Sequence, residues 1–295
     1  MDFPAPFHVI VHHIPSQTPN LVAYERGTST SKNALIFVGG LTEGPHTNAV
    51  VGVLAKKLEG SEYGVWELRM RSSFTGFGYS KLSNDVEDIS ALVEYLRKLG
   101  KEKVVLMGAS TGNSLCLWKS LQHTDTFLLF IGCQDCLEYT KLREHNSNPV
   151  DGYILLNPVS DRQAAGLIMS QEEYEKSIGH AQKMIADGMQ NEAMPTSLIP
   201  FIFTSPITAY RWNSLGAKGG DDDYFSWDLD DATVQEKFGQ VHKPILLLPG
   251  EKDELVLPSV NKTELLGRWI QACPKGVLEV QEWVGDTARR FMELL

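Results

Sequence analysis

The residues most able to do chemistry are Gly108-Ala109-Ser110-Thr111-Gly112, which directly follow the apolar run 104–107. A serine flanked by glycines two positions before and after it fits a tight strand-to-helix turn, because bulkier neighbours would clash there. Such a turn exposes the hydroxyl at the edge of a sheet. Ser110 is therefore the predicted nucleophile of an acyl-transfer reaction.

A serine nucleophile needs donors for the developing oxyanion and an acid that orients its base. The backbone N–H of Thr111 is one predicted donor, and that of Leu41, after the buried strand 34–38 and Gly39-Gly40, is the other. Asp253 follows the strand 245–248 and is the predicted acid, with Asp161 after the preceding strand as the alternative. These positions require that all the strands end at one edge of a sheet.

The element order supplies such a sheet. Strands of β-type composition alternate with amphipathic helices, which predicts a mostly parallel, doubly wound sheet preceded by an antiparallel hairpin within residues 7–24. Residues 162–231 are too long for an ordinary connection and are interpreted as a helical cap over the site. The remaining core comprises 1–161 and 232–295. An acidic run at 221–231 is predicted to be a solvated loop.

Composition narrows the function. The chain has 295 residues, 42% of them hydrophobic, and a net charge of −10, which argues against nucleic-acid or anionic-membrane surfaces. No apolar stretch is long enough to span a membrane, and residues 1–15 lack the pattern of a secretory signal. Four cysteines in such a chain suggest free thiols and a cytoplasmic location. Cys133-x-x-Cys136 lacks a second pair and is interpreted as two cysteines on a helix face, so no metal is expected.

With these motifs, the chain resembles the α/β-hydrolase superfamily and, more narrowly, a fungal siderophore-esterase-like family acting on fusarinine-type esters. The narrower resemblance rests on the Gly108–Gly112 motif and on five further segments: Phe37–Leu41, Cys133–Tyr139, Leu155–Asp161, Asp223–Ser226 and Lys252–Glu254. It implies a metal-free serine hydrolase without cofactor that acts on a small-molecule ester. A tailoring hydrolase or thioesterase of secondary metabolism, including toxin pathways, is the alternative enzyme. A ligand-binding pseudo-hydrolase is the alternative outside catalysis.

Two departures from that family bear on activity. The Gly108–Gly112 turn is a predicted nucleophile elbow, which the Cys-Gln-Asp helix follows directly in the family. Here the twenty residues 113–132 lie between the two. In addition, no histidine follows His242, although a hydrolase of this order carries its base beyond the acid. His46 is the predicted substitute base, and impaired catalysis is expected. One hypothesis explains both departures: the coding sequence retains an intron and lacks a coding stretch. A degenerated paralogue is the competing explanation.

Overall fold

The computed structural model describes residues 6–27, 30–110, 132–143, 148–166, 168–203, 205–249, 259–278 and 284–295. The strands of this part are β1 (Ile10–His13), β2 (Val22–Arg26), β3 (Asn33–Val38), β4 (Tyr63–Arg69), β5 (Val104–Ala109), β6 (Gly152–Leu156), β7 (Ile245–Leu248) and β8 (Gly276–Leu278). Its α-helices are α1 (Ala49–Lys57), α2 (Leu82–Lys98), α3 (Gly132–Arg143), α4 (Asp161–Ala165), α5 (Gln171–Ala186), α6 (Ala209–Gly216), α7 (Asp231–Phe238), α8 (Lys262–Ala272) and α9 (Val284–Leu294).

The eight strands form one sheet in the order β1-β2-β4-β3-β5-β6-β7-β8. Strand β2 is antiparallel to both of its neighbours, and the other pairs are parallel. Parallel neighbours need crossover helices, which is why helices separate the successive strands from β3 onward. The predicted hairpin and doubly wound sheet are confirmed.

Both faces of the sheet are covered, so its central strands are buried on each side. Helices α1 and α9 contribute Val51, Leu54 and Met292 to an apolar layer on one face. Helices α2, α3 and α8 contribute Ile89, Leu137 and Trp269 to a larger layer on the other. Alternate residues of β3, β5 and β6 point into the two layers, which fixes the strand register, because a slip by one residue would exchange the faces.

Helices α4, α5 and α6 lie in the predicted cap segment between β6 and β7. Helix α5 begins with a capping box, in which the Ser170 hydroxyl accepts from the Glu173 N–H and the Glu173 carboxylate accepts from the Ser170 N–H. Helix α6 carries Arg211, which is only 1% exposed.

The prediction of a solvated acidic loop at 221–231 is wrong for two of its aspartates. Asp222 and Asp223 are each 2% exposed. Arg211 Nη1 donates to Asp222 Oδ2 over 2.7 Å, and Arg162 Nε donates to Asp223 Oδ2 over 3.1 Å. A buried carboxylate needs such a partner. These partners are distant in the sequence, so the charge run alone did not reveal them.

Candidate active site

Ser110 follows the last residue of β5 and is 2% exposed. Its backbone N–H donates to Leu156 O over 2.8 Å, which continues the pairing of β5 with β6 beyond the strand. Its Oγ has no hydrogen-bond partner within the described ranges. The hydroxyl thus lies at the carboxyl edge of the sheet and makes no hydrogen bond to the described residues around it.

Two glycines bring helix α3 against the strand that carries Ser110. A Cβ on Gly108 would lie 2.0 Å from Gly132 O, and a Cβ on Gly132 would lie 2.4 Å from Val38 O and 2.7 Å from Ala109 O. Only glycine fits at either position, since all of these contacts are with backbone atoms. Gly132 therefore has the close contact expected of the second glycine of a nucleophile elbow.

The same contact limits the distance between Ser110 and Gly132. Because the Gly132 Cβ position is 2.7 Å from Ala109 O, the Gly132 Cα lies within about 7 Å of the Ser110 Cα, and two extended trans peptide units span up to about 7.2 Å. One residue could therefore join the strand to helix α3. Residues 111–131, which include Thr111 and most of the predicted insertion, lie outside the described residues.

Cys133 and Cys136 lie on α3 and are free and fully buried, as predicted for cysteines on a helix face. Cys133 Sγ donates to Gly108 O over 3.3 Å and to Leu156 O over 3.4 Å. Burial raises the pKa of both thiols well above the usual range, because a thiolate would lose its hydration. Cys133 therefore acts as a packing group against the end of the strand that carries Ser110. Among the described residues, no cluster of ligands could hold a metal.

The loop after β3 presents the predicted oxyanion donor. Glu43 is buried, and its carboxylate accepts from the Gly40 N–H over 2.8 Å and from the Asn48 amide over 3.1 and 3.2 Å. This clamp holds the turn that contains Leu41, and burial raises the pKa of Glu43. The Leu41 N–H makes no hydrogen bond to the part of the chain that the structure describes. It is thus available to a ligand.

A cleft opens beside this loop and contains about 440 Å³ of space, open solvent included. Leu41, Met70, Phe77 and Asp135 are among its lining residues. Asp135 is 1% exposed, and its Oδ1 has no partner within the described ranges. Burial raises its pKa well above the usual range, and the nearby Asp85 adds to the effect. Of the described residues, Glu43, Glu67 and Ser73 also line the cleft, so its lining is mixed, and Ser110 is not part of it.

His46 is held away from Ser110. Its Nδ1 is 2.8 Å from Glu67 Oε2 and its N–H donates to Glu67 Oε1 over 2.8 Å, with Arg26 on the same carboxylate. Glu67 lies beside Phe37 of β3, which lies beside Met107 of β5. Two strand spacings and three residues place the Cα atoms of Glu67 and Ser110 about 14 Å apart. The structure does not bring His46 to Ser110, the predicted nucleophile, and none of the described histidines forms a hydrogen bond with Ser110 Oγ.

Of the two candidate acids, the structure describes only Asp161. Asp253 lies outside the described residues. Asp161 is 4% exposed at the start of α4, and Gln134 Nε2 of α3 donates to its Oδ2 over 2.6 Å. Asp161 is thereby tied to the helix that follows the nucleophile. Sequence reasoning did not single out Asn157, four positions before Asp161. Its place at a strand end and the proline after it were the features that could have drawn attention to it.

Two relatives and one solved structure are similar to this chain. The chain is 28% identical to the fusarinine C esterase sidJ of Aspergillus fumigatus, over 89% of this chain and 82% of that protein. It is 28% identical to the esterase AN6793 of Emericella nidulans, over 84% and 77%. The solved siderophore hydrolase EstB of Aspergillus fumigatus matches with a TM-score of 0.73 and 25% identity, over 98% and 95% of the two chains.

The fold is also that of an α/β hydrolase fold protein of unknown function, at a TM-score of 0.67, 17% identity, and coverage of 99% and 97%. No helix in the described ranges is long and apolar enough to cross a membrane. A family model described as "Protein of unknown function (DUF1749)" matches residues 1–127 and 130–288. The chain therefore belongs to the DUF1749 family, and within the α/β-hydrolase fold it is by family an esterase-type hydrolase.

Proposed function

We propose that this chain is a serine esterase that cleaves a small ester, such as a siderophore or another secondary metabolite, with Ser110 as the nucleophile. The observation that carries the proposal is the buried Ser110 Oγ, which lacks a partner in the described structure and stands at the strand end beside the loop of Leu41. The names of the relatives support the ester and siderophore class. Free, buried cysteines fit a reducing compartment such as the cytoplasm.

In the proposed reaction, Ser110 Oγ forms a bond to the acyl carbon, and the carbonyl electrons move onto the oxygen. The N–H groups of Leu41 and Thr111 hold that oxyanion, and Asp253 is the proposed acid. On collapse, the bond to the alkoxy oxygen breaks and the alcohol leaves with the serine proton. Water then releases the acyl group as a carboxylic acid. The cap, proposed as residues 162–231, covers the bound ester.

The missing base predicts a slow enzyme. Since no described histidine contacts Ser110, the serine proton has no identified acceptor. Loss of one triad member typically lowers the rate by several powers of ten and leaves residual catalysis from the oxyanion hole and binding. We therefore expect residual hydrolysis of activated esters only. The same observation favours the second candidate, a pseudo-hydrolase that binds a ligand without turnover.

The test is the hydrolysis of p-nitrophenyl butyrate by the purified chain, by Ser110→Ala and by Ser61→Ala as the control. The expected result is slow turnover that falls to the buffer rate in Ser110→Ala and is unchanged in Ser61→Ala. Equal rates for the chain and Ser110→Ala would overturn the proposal. Comparing how strongly a ferric fusarinine-type ester and an acyl thioester inhibit this hydrolysis separates a siderophore esterase from a tailoring thioesterase.

Residues 113–132 are proposed to be an insertion that the fold does not need. The support is that the Cα atoms of Ser110 and Gly132 lie within about 7 Å of each other, together with the start of α3 at Gly132. Removing 112–131 or 113–132 gives the same sequence, since Gly112 and Gly132 are both glycine. A transcript that lacks these codons and restores a histidine after Val280 supports the retained-intron hypothesis. A transcript identical to the present sequence would defeat it.

A further inference from the structure

Asn157 occupies the position next to the nucleophile in the sheet. Strands β5 and β6 are parallel with Ala109 beside Leu156, so the next residues, Ser110 and Asn157, continue that register. The Ser110 N–H donates to Leu156 O, and the Asn157 N–H donates to Leu248 O of β7, each over 2.8 Å. Neighbouring strands lie about 4.8 Å apart. The backbone of Asn157 is thus fixed beside Ser110 from both sides.

This residue combines two unfavourable features. Its φ is +52°, in the left-handed region, and it precedes Pro158, which further restricts its backbone. It is 1% exposed, yet neither its Nδ2 nor its Oδ1 has a partner within the described ranges. By contrast, Asn33 Oδ1 accepts from the Lys103 N–H and Asn48 Oδ1 accepts from the Val50 N–H, and only Asn213 Oδ1 of the other described asparagine oxygens is also buried without a partner.

A buried, unpartnered amide on a strained backbone destabilises the fold, so packing does not account for it. Its place relative to Ser110 indicates what it contacts. The sheet order β3-β5-β6 puts the loop of Leu41 on one side of Ser110 and Asn157 on the other. An ester whose carbonyl oxygen lies toward Leu41 has its alkoxy oxygen and its acyl chain left to place, and one orientation puts the alkoxy oxygen toward Asn157.

We propose that Asn157 is a further catalytic residue of this site, whose amide Nδ2–H donates to the alkoxy oxygen of the ester attacked by Ser110. The inference rests on the proposed function. The hydrogen bond strengthens as the acyl–oxygen bond breaks and negative charge builds on the leaving oxygen, and no proton is transferred by the amide. An amide is neutral at every pH used in an assay, so its contribution does not depend on pH.

The test compares Asn157→Gly with Asn20→Gly, because Asn20 is an exposed asparagine with a φ of +57°. Glycine accepts a positive φ at no steric cost. Relief of strain alone therefore predicts an equal or higher Tm in both variants. A catalytic role predicts in addition that only Asn157→Gly loses activity, by about tenfold with p-nitrophenyl butyrate, since one lost transition-state donor costs tenfold or more. The loss should be smaller with 2,4-dinitrophenyl butyrate, a more activated ester whose leaving oxygen carries less charge.

Both variants are also titrated with butylboronic acid, which bonds reversibly to a serine oxygen, and Asn157→Gly should bind it about tenfold more weakly. Unchanged rates and affinity in Asn157→Gly would overturn the inference, as would losses explained by a lowered Tm. Failure of the proposed function is distinguishable, because Ser110→Ala would then hydrolyse the esters as fast as the unmodified chain.

Discussion

Replacing Gly132 by alanine tests the packing that brings helix α3 to the strand end at Ser110. The new Cβ would lie 2.4 Å from Val38 O and 2.7 Å from both Ala109 O and Gly39 O, whereas ordinary contacts begin about 1 Å farther away. All three oxygens belong to the backbone, so no side-chain rotation relieves the clash. We expect a loss of about 3 kcal/mol in the free energy of unfolding, the upper part of the range for overpacking.

The matched control is Gly179→Ala, in the exposed interior of α5, where an added Cβ meets nothing within 4 Å. Alanine should stabilise that helix by about 1 kcal/mol, so the two variants should differ by about 4 kcal/mol in urea unfolding. A Gly132→Ala variant as stable as the unmodified chain would refute the reasoning. Helix α3 would then not begin against the ends of β3 and β5.

Three further predictions concern buried groups. Arg211→Met should lower the free energy of unfolding by about 3–5 kcal/mol, because it leaves the Asp222 carboxylate buried without its partner; adding Asp222→Leu should restore part of the loss, and no restoration would contradict the pairing. Burial raises the pKa of Asp85 to about 7, so the folded protein binds a proton that the unfolded chain releases near pH 4, and stability should fall as the pH rises from 4 to 7. The free energy of unfolding in urea is compared at pH 5 and pH 8. Asp85→Asn should reduce its change with pH, and the exposed Asp187→Asn should not; an equal change with pH in both variants would contradict the raised pKa of Asp85. In a Cys116→Ser background, the native thiols of α3 should react with Ellman's reagent only on unfolding, since burial keeps them protonated, and rapid reaction would argue against their burial.

The order and type of the elements could be predicted from the sequence because each follows a local pattern. The periodicity of residues 83–99 predicted a helix that the structure gives as Leu82–Lys98, and the apolar run 245–248 is β7. The turn after Ser110 stays a prediction, because Thr111 and Gly112 lie outside the described residues, and the glycine contact that the structure shows joins Gly108 to the distant Gly132.

The long-range polar contacts could not be predicted in this way. Asp223 pairs with Arg162, 61 positions away. The side-chain amide of Gln134 donates to Asp161, 27 positions away. These partners come together only in the folded chain, and nothing in a single sequence marks residues so far apart as a pair. Asn157 was missed because an Asn-Pro step resembles an ordinary turn, while its burial and its register with Ser110 emerge only once the sheet is assembled.

Covalent labelling by a fluorophosphonate tests the central claim most directly. The purified chain is incubated with the probe and digested, and the modified residue is located by peptide mass spectrometry, with Ser110→Ala as the control. The account predicts slow labelling of Ser110 alone, at a rate limited by the missing base, and none in Ser110→Ala. Labelling at another residue, or equal labelling of both proteins, would contradict the assignment of Ser110 as the nucleophile.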